Sequence, residues 1–151
     1  MNEGDVLPSV TVATSEGPLD LAALQGKPAV VYFYPKDDTP GCTQEAKDFS
    51  DLAGAFAEAG IEVVGISKDT PEKHARFAAK HALTVRLASD ADGSACEAFG
   101  TWGEKQLYGK TYMGIERATF LFGADGHLIR AWRTVKVLGH AQAVLDAARA
   151  L

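Results

Sequence analysis

Residues 29–49, "AVVYFYPKDDTPGCTQEAKDF", decide the fold. Their first seven positions form an unbroken apolar run, rich in β-branched and aromatic residues and closed by Pro35, which is the pattern of a strand covered on both faces. Turn formers follow. From Thr43 the apolar positions Ala46, Phe49, Leu52, Ala53 and Phe56 recur at helical spacing as far as Gly60, a suitable C-cap. "IEVVGIS", residues 61–67, reads as a second strand. Strand, helix and strand joined tightly predict a right-handed βαβ unit with parallel strands. Cys42 then stands at the carboxyl end of a central strand, where open α/β sheets place their sites. It also stands at the mouth of a helix, whose unpaired N–H groups and dipole favour thiolate over thiol.

Upstream, residues 5–24 read as a lead-in to the core, with Val10 and Val12 alternating, a turn from Ser15 to Pro18, and Leu19, Leu21 and Leu24 directed inward. Downstream, "DTPEKHARFAAKHA", residues 69–82, opens with Thr70 as N-cap and Pro71 at the first helical position, and carries Phe77 and Ala78 on one face. "TVRLAS", residues 84–89, is expected as a strand, and "DADGSACEAFG", residues 90–100, as a turn into a short helix holding Cys96. "ATFLF" and "HLIRAWR" flank the turn formers "GADG", residues 123–126, and predict an antiparallel hairpin. A last helix from Gly139 aligns Ala141, Val144, Leu145 and Ala148. This order is that of a thioredoxin-like α/β fold. A central mixed sheet is flanked by helices behind an N-terminal extension, in one domain spanning residues 1–151.

A chain of 151 residues can bury roughly two-thirds of its unfolded surface without staples. Its net charge of -5 argues against a non-specific nucleic-acid or anionic-membrane surface, either of which needs a basic excess. Residues 1–26 hold Glu3, Asp5, Glu16 and Asp20 but no Lys or Arg, so no basic n-region precedes an apolar stretch, and the cytoplasm is the expected compartment. The two cysteines, Cys42 and Cys96, form no CxxC pair and suit a redox or catalytic thiol better than a structural disulfide. His74, His81, His127 and His140 show no paired ligand spacing, so neither a metal nor a cofactor is expected.

Within the opening stretch Pro35, Thr39 and Cys42 stand as PxxxTxxC, with Glu45 in the first helical turn. Thr39 can aim a hydroxyl at the point the sulfur faces. Glu45 either complements the dipole as a solvated carboxylate or orients an arginine. "YFYPKDDTPGCT" together with "YGKTYMGIERATFLF", residues 108–122, resembles the peroxiredoxins of the bacterioferritin comigratory protein, or peroxiredoxin Q, subfamily, and the likeness runs from about Gly4 to Leu145. The resemblance implies that Cys42 is the peroxidatic cysteine, that Thr39 and Arg117 complete its site, and that Pro35 shields the thiolate. It further implies hydroperoxide substrates, thioredoxin or a similar dithiol protein as reductant, and a monomer. Arg117 suits such a site better than lysine would, because its planar fork can donate to sulfur and to a peroxide oxygen together. Attack of the thiolate on a hydroperoxide would release water or alcohol and leave a sulfenic acid.

The chain departs from the subfamily at one point. Many members place a resolving cysteine five residues after the peroxidatic one, where this chain has Lys47. Others use a cysteine in a later helix, so the resemblance makes Cys96 the resolving candidate. If Cys96 merely packs as a small apolar residue beside Phe99, the protein is a one-cysteine peroxidase reduced by an external thiol. Three further readings compete. "GEKQLYGKT", residues 103–111, almost spells a phosphate-binding loop, but five residues separate its glycines where four are needed, and it reads as an ordinary loop near the site. A cysteine hydrolase needs a base for Cys42, and no histidine is placed by motif. A thioredoxin-fold binding module with an incidental thiol predicts an ordinary thiol titration, which labelling with iodoacetamide across pH would reveal.

Overall fold

The computed structural model describes residues 1–151. The lead-in folds as a hairpin, β1 (Thr11–Thr14) and β2 (Gly17–Asp20), followed by a 3-10 turn over Leu21–Leu24. The decisive stretch forms β3 (Ala29–Phe33), buried at every residue, and α1 (Pro40–Asp51). Then come α2 (Ala53–Glu58), β4 (Glu62–Ser67), α3 (Pro71–His81), β5 (Arg86–Ser89) and α4 (Ser94–Phe99). The chain closes with β6 (Trp102–Leu107), β7 (Lys110–Ile115), β8 (Ala118–Phe122), β9 (Leu128–Trp132) and α5 (His140–Arg149).

Seven strands make one mixed sheet in the order β2-β1-β5-β4-β3-β8-β9. β3 pairs in parallel with β4, and β4 with β5, as the βαβ reading requires; β8 pairs antiparallel on the other flank of β3. The N-terminal segment is therefore more than a lead-in, because β1 pairs with β5 and extends the sheet edge. Along β3 the side chains alternate between two cores. Val30, Tyr32 and the following Tyr34 pack with α1, α2, α3 and α5 through Phe49, Phe56, Phe77 and Val144. Val31 and Phe33 pack on the opposite face with α4, through Ala95, Cys96 and Phe99. Both crossover helices lie on one face because the chain steps from β3 to β4 to β5 in one direction with right-handed connections.

Two expectations need correction. The helix foreseen from Thr43 to Gly60 begins earlier, at Pro40, and breaks at Leu52 (φ -93°, ψ 1°) into α1 and α2. The Ser50 hydroxyl just before the break is drawn out to accept the N–H groups of Thr84 and Val85, both at 3.1 Å. The stretch 103–111, read as a loop, belongs to the hairpin β6–β7, a separate two-stranded sheet. Its two-residue turn has Tyr108 at φ 51° and Gly109 at φ 76°, the left-handed pair of a type I′ turn.

At the centre of the sheet the Tyr32 ring stacks on Phe49 with centroids 4.5 Å apart and covers Gly65 of β4. A Cβ at Gly65 would lie closer than 3.0 Å to the Tyr32 ring. Gly65→Ala is expected to destabilise the fold by about 1–3 kcal/mol through overpacking. Urea unfolding measures it, and an unchanged midpoint would mean that the stacked pair can yield.

Candidate active site

Pro40 occupies the first position of α1, where its missing N–H costs nothing, and Thr39 is the N-cap. Cys42 thus sits in the first turn, facing the helix's free amide groups, and is buried. Arg117 arrives from the strand next to β3. The register Phe33↔Ala118 sets the start of β8 beside the end of β3, so the residue preceding β8 lies against the entry to α1. Its Nη2 donates to Cys42 Sγ at 3.2 Å and its Nη1 donates to Glu45 Oε1 at 2.7 Å. Gly41 leaves room for this approach, since a Cβ there would meet Arg117 Nη2 at 3.2 Å. Glu116, one residue earlier, turns away and pairs with Arg133, so Arg117 is not spent in an ion pair with its neighbour.

Glu45 is no solvated carboxylate: only 1% of its side chain is exposed, and its Oε2 has no partner. Burial pushes its carboxyl up to about 7, against the pull of Arg117. The guanidinium itself is held in its charged form by Glu45 and Cys42, which outweigh its own burial. The Thr39 hydroxyl donates to the Lys36 carbonyl at 2.8 Å. Pro35 is half-buried where the chain leaves β3. Cys96 lies in the other core, fully buried, with its thiol pushed up to about 12 by burial and by Asp90. Both cysteines are free.

Several neighbours carried no sequence signal. Lys105 of β6 donates to the Ile115 carbonyl at 2.7 Å, and burial and Arg117 depress its pKa. His140 meets Thr119 Oγ1 at 2.8 Å, and burial, then Arg117, lowers it to about 4, so it is neutral at physiological pH. It is no base for Cys42, whose hydrogen-bond partner is Arg117. Asp37, Asp69 and His74 bring ligand-type atoms within 4.8 Å of one another, but bonds among themselves and to Tyr34, Ser67 and Ala88 engage those atoms.

A first-turn cysteine bridged by an arginine to a buried glutamate is a thiol site without a histidine. The AhpC/TSA family model matches residues 4–131. The chain belongs to this family. Within it, the curated relatives place the chain among the peroxiredoxins of the Bcp, or peroxiredoxin Q, group. Peroxiredoxin Bcp of Xanthomonas campestris is 44% identical over 154 residues, covering 97% of this chain and 96% of the relative. Peroxiredoxin Bcp of Escherichia coli is 43% identical over 147 residues, covering 97% and 94%. A structure of the X. campestris bacterioferritin comigratory protein, solved in connection with its alkyl peroxide reduction activity, superposes with a TM-score of 0.89 at 44% identity, covering 97% and 98%. Peroxidoxin BcpB from Mycobacterium tuberculosis gives 0.86 at 36% identity, covering 100% and 98%. X. campestris peroxiredoxin Q has also been solved as two cysteine-to-serine variants, and the two substituted cysteines lie closer together in sequence than Cys42 and Cys96 do. As a member of this group the chain is a thiol peroxidase.

The raised Glu45 carboxyl has a consequence for stability. The folded chain holds this proton more tightly than the unfolded one, so the group's contribution is fully present below about pH 4.5 and is lost as pH rises through about 7. Between those limits the loss is on the order of 3 kcal/mol. Glu45→Gln is expected to remove that slope. Urea unfolding of both proteins at pH 4.5 and pH 8 measures it, and parallel pH profiles would show that Glu45 ionises as readily folded as unfolded.

Proposed function

We propose that Cys42 is the peroxidatic residue and that Arg117 and Thr39 complete its site, acting on hydrogen peroxide and organic hydroperoxides. The carrying observation is the 3.2 Å bond from Arg117 Nη2 to Cys42 Sγ at the first turn of α1. The thiolate attacks the terminal peroxide oxygen, forming the S–O bond of a sulfenic acid as the O–O bond breaks, and the departing hydroxide or alkoxide takes a proton from solvent to leave as water or alcohol. Charge develops on the departing oxygen, and the guanidinium beside the sulfur offers a fixed donor to it. Glu45 orients that guanidinium from beneath, and Pro35 screens the sulfur from water at the strand end. The alkyl peroxide activity named for the X. campestris relative supports organic substrates here.

The second half of the cycle has two routes. The resemblance assigns resolution to Cys96, followed by thioredoxin or a similar dithiol protein, in a monomer; the net charge of -5 and the acidic first 26 residues favour a cytoplasmic protein with no nucleic-acid or membrane partner. That route demands that α4 detach and the first turn of α1 unwind, because the two sulfurs lie on opposite faces of the sheet and a disulfide tolerates Cα atoms only up to ~7 Å apart. The burial of Cys96 and its raised thiol favour the other route, in which an external thiol attacks the Cys42 sulfenic acid directly, releasing water and forming a mixed disulfide.

Cys42→Ser is expected to abolish peroxide reduction with the fold intact, and Arg117→Lys to slow the peroxide step on the order of 10²-fold. Stopped-flow peroxide consumption measures both, and a near-normal rate in either variant would remove that residue from the site. Cys96→Ser separates the two routes. Normal sustained turnover with thioredoxin supports the external route, whereas loss of turnover after a normal first cycle, with a Cys42–Cys96 bridge in oxidised wild type, supports Cys96.

A further inference from the structure

A buried polar cluster lies outside the residues so far given roles, between the loop that precedes α1 and the helix α3. His74 of α3 is 6% exposed. Its Nδ1 meets Asp37 Oδ2 at 2.6 Å and its Nε2 meets the Ala88 carbonyl at 3.1 Å, so the ring is held at both nitrogens. The Tyr34 hydroxyl donates to the second oxygen of Asp37 at 2.5 Å. The Asp37 N–H donates to Asp69 Oδ2 at 2.9 Å, and that oxygen also accepts from Ser67 Oγ at 2.7 Å. About two turns further along α3, Lys80 and His81 hold the Asp38 carboxylate at 2.7 Å and 2.8 Å.

The loop needs such anchoring. Asp38 has φ 62°, a left-handed conformation that costs a non-glycine residue energy and persists only where the surroundings impose it. The anchoring also reaches the site by a rigid path. The Lys36–Asp37 peptide is planar, so fixing its N–H on Asp69 fixes its carbonyl, which is the acceptor of the Thr39 hydroxyl at 2.8 Å. Thr39 is in turn the cap from which α1 and Cys42 start.

We propose that Asp37 and His74 are positioning residues: they clasp the loop 36–39 to α3 and so hold Thr39 and the first turn of α1 in the conformation that attacks peroxide. The clasp lies outside the Cys42, Glu45 and Arg117 set and rests on the reading of Cys42 as the attacking group. Without the clasp the loop relaxes from its strained conformation, the Thr39 hydroxyl loses its fixed orientation, and peroxide meets a thiolate whose surrounding donors are misplaced.

The test is stopped-flow reaction with hydrogen peroxide, at a temperature where every variant is folded, beside amide hydrogen exchange. Asp37→Ala and His74→Phe should lower the second-order rate constant at least about tenfold, since small misplacements at a reacting centre cost that much. Exchange should rise in residues 36–43 and stay slow in β3 and β8. Asp37→Asn should retain most of the rate, because its amide oxygen can accept from Tyr34 and its amide nitrogen can still face His74 Nδ1. Where either variant fails to fold, Asp69→Ala strips the half-exposed end of the clasp and should show the same local loss. Unchanged rate constants in the clasp variants overturn the proposal. So does a rate that falls only in step with exchange rising equally across β3 and β8. If Cys42→Ser keeps peroxide reduction, the underlying reading has failed instead.

Discussion

One guanidinium, donating to a buried carboxylate on one side and a thiol sulfur on the other, sets the conditions that the surrounding structure meets. Arg117 belongs to the segment between β7 and β8, and its two partners belong to α1, far away in sequence. Bringing them together requires β8 to run antiparallel beside β3 with Ala118 opposite Phe33, so that the arginine ends where β3 hands over to α1. It requires a bare Gly41 at the point of closest approach. It also requires that α1 begin at Pro40, early enough for Cys42 to fall in the first turn, where amide groups point outward unpaired.

The arrangement is costly locally and is sustained by packing elsewhere. A carboxylate with 1% of its surface exposed and one oxygen unpartnered is a desolvated group, and the arginine offsets part of that cost. The loop before α1 carries a left-handed aspartate. What holds these features in place is a pair of apolar cores on either face of a sheet whose central strand exposes nothing. The Tyr32 and Phe49 stack ties α1 to that strand directly beneath the site. Strain and desolvation collect around Cys42, as expected where geometry serves chemistry rather than stability.

How much of this the sequence revealed depends on how local each signal is. The run from Ala29 to Phe33 is a strand because five consecutive apolar residues leave no polar face, and the capping of α3 by Thr70 and Pro71 is equally local. Cys42, Thr39 and Arg117 were legible as a motif, and Glu45 only as one of two alternatives that burial decides. The hairpin β6–β7 was missed because most of its side chains are exposed and its turn opens with a tyrosine rather than a usual turn former. The break at Leu52 falls beside bonds from Thr84 and Val85 to the Ser50 hydroxyl, residues that only the fold brings together. The bond between Asp37 and His74 joins residues that only the fold makes neighbours. Which face of the sheet receives Cys96 likewise follows from the crossover topology and not from its own short helix.

The most direct test of the account is to find where the first oxygen goes. Reduced protein is mixed with one equivalent of hydrogen peroxide, quenched within milliseconds into a sulfenic-acid trap, and digested for mass spectrometry. The account predicts an adduct on Cys42 formed at the rate of peroxide loss, with Cys96 unmodified in its core. An adduct that forms first on Cys96, or peroxide consumed with neither sulfur modified, would contradict it.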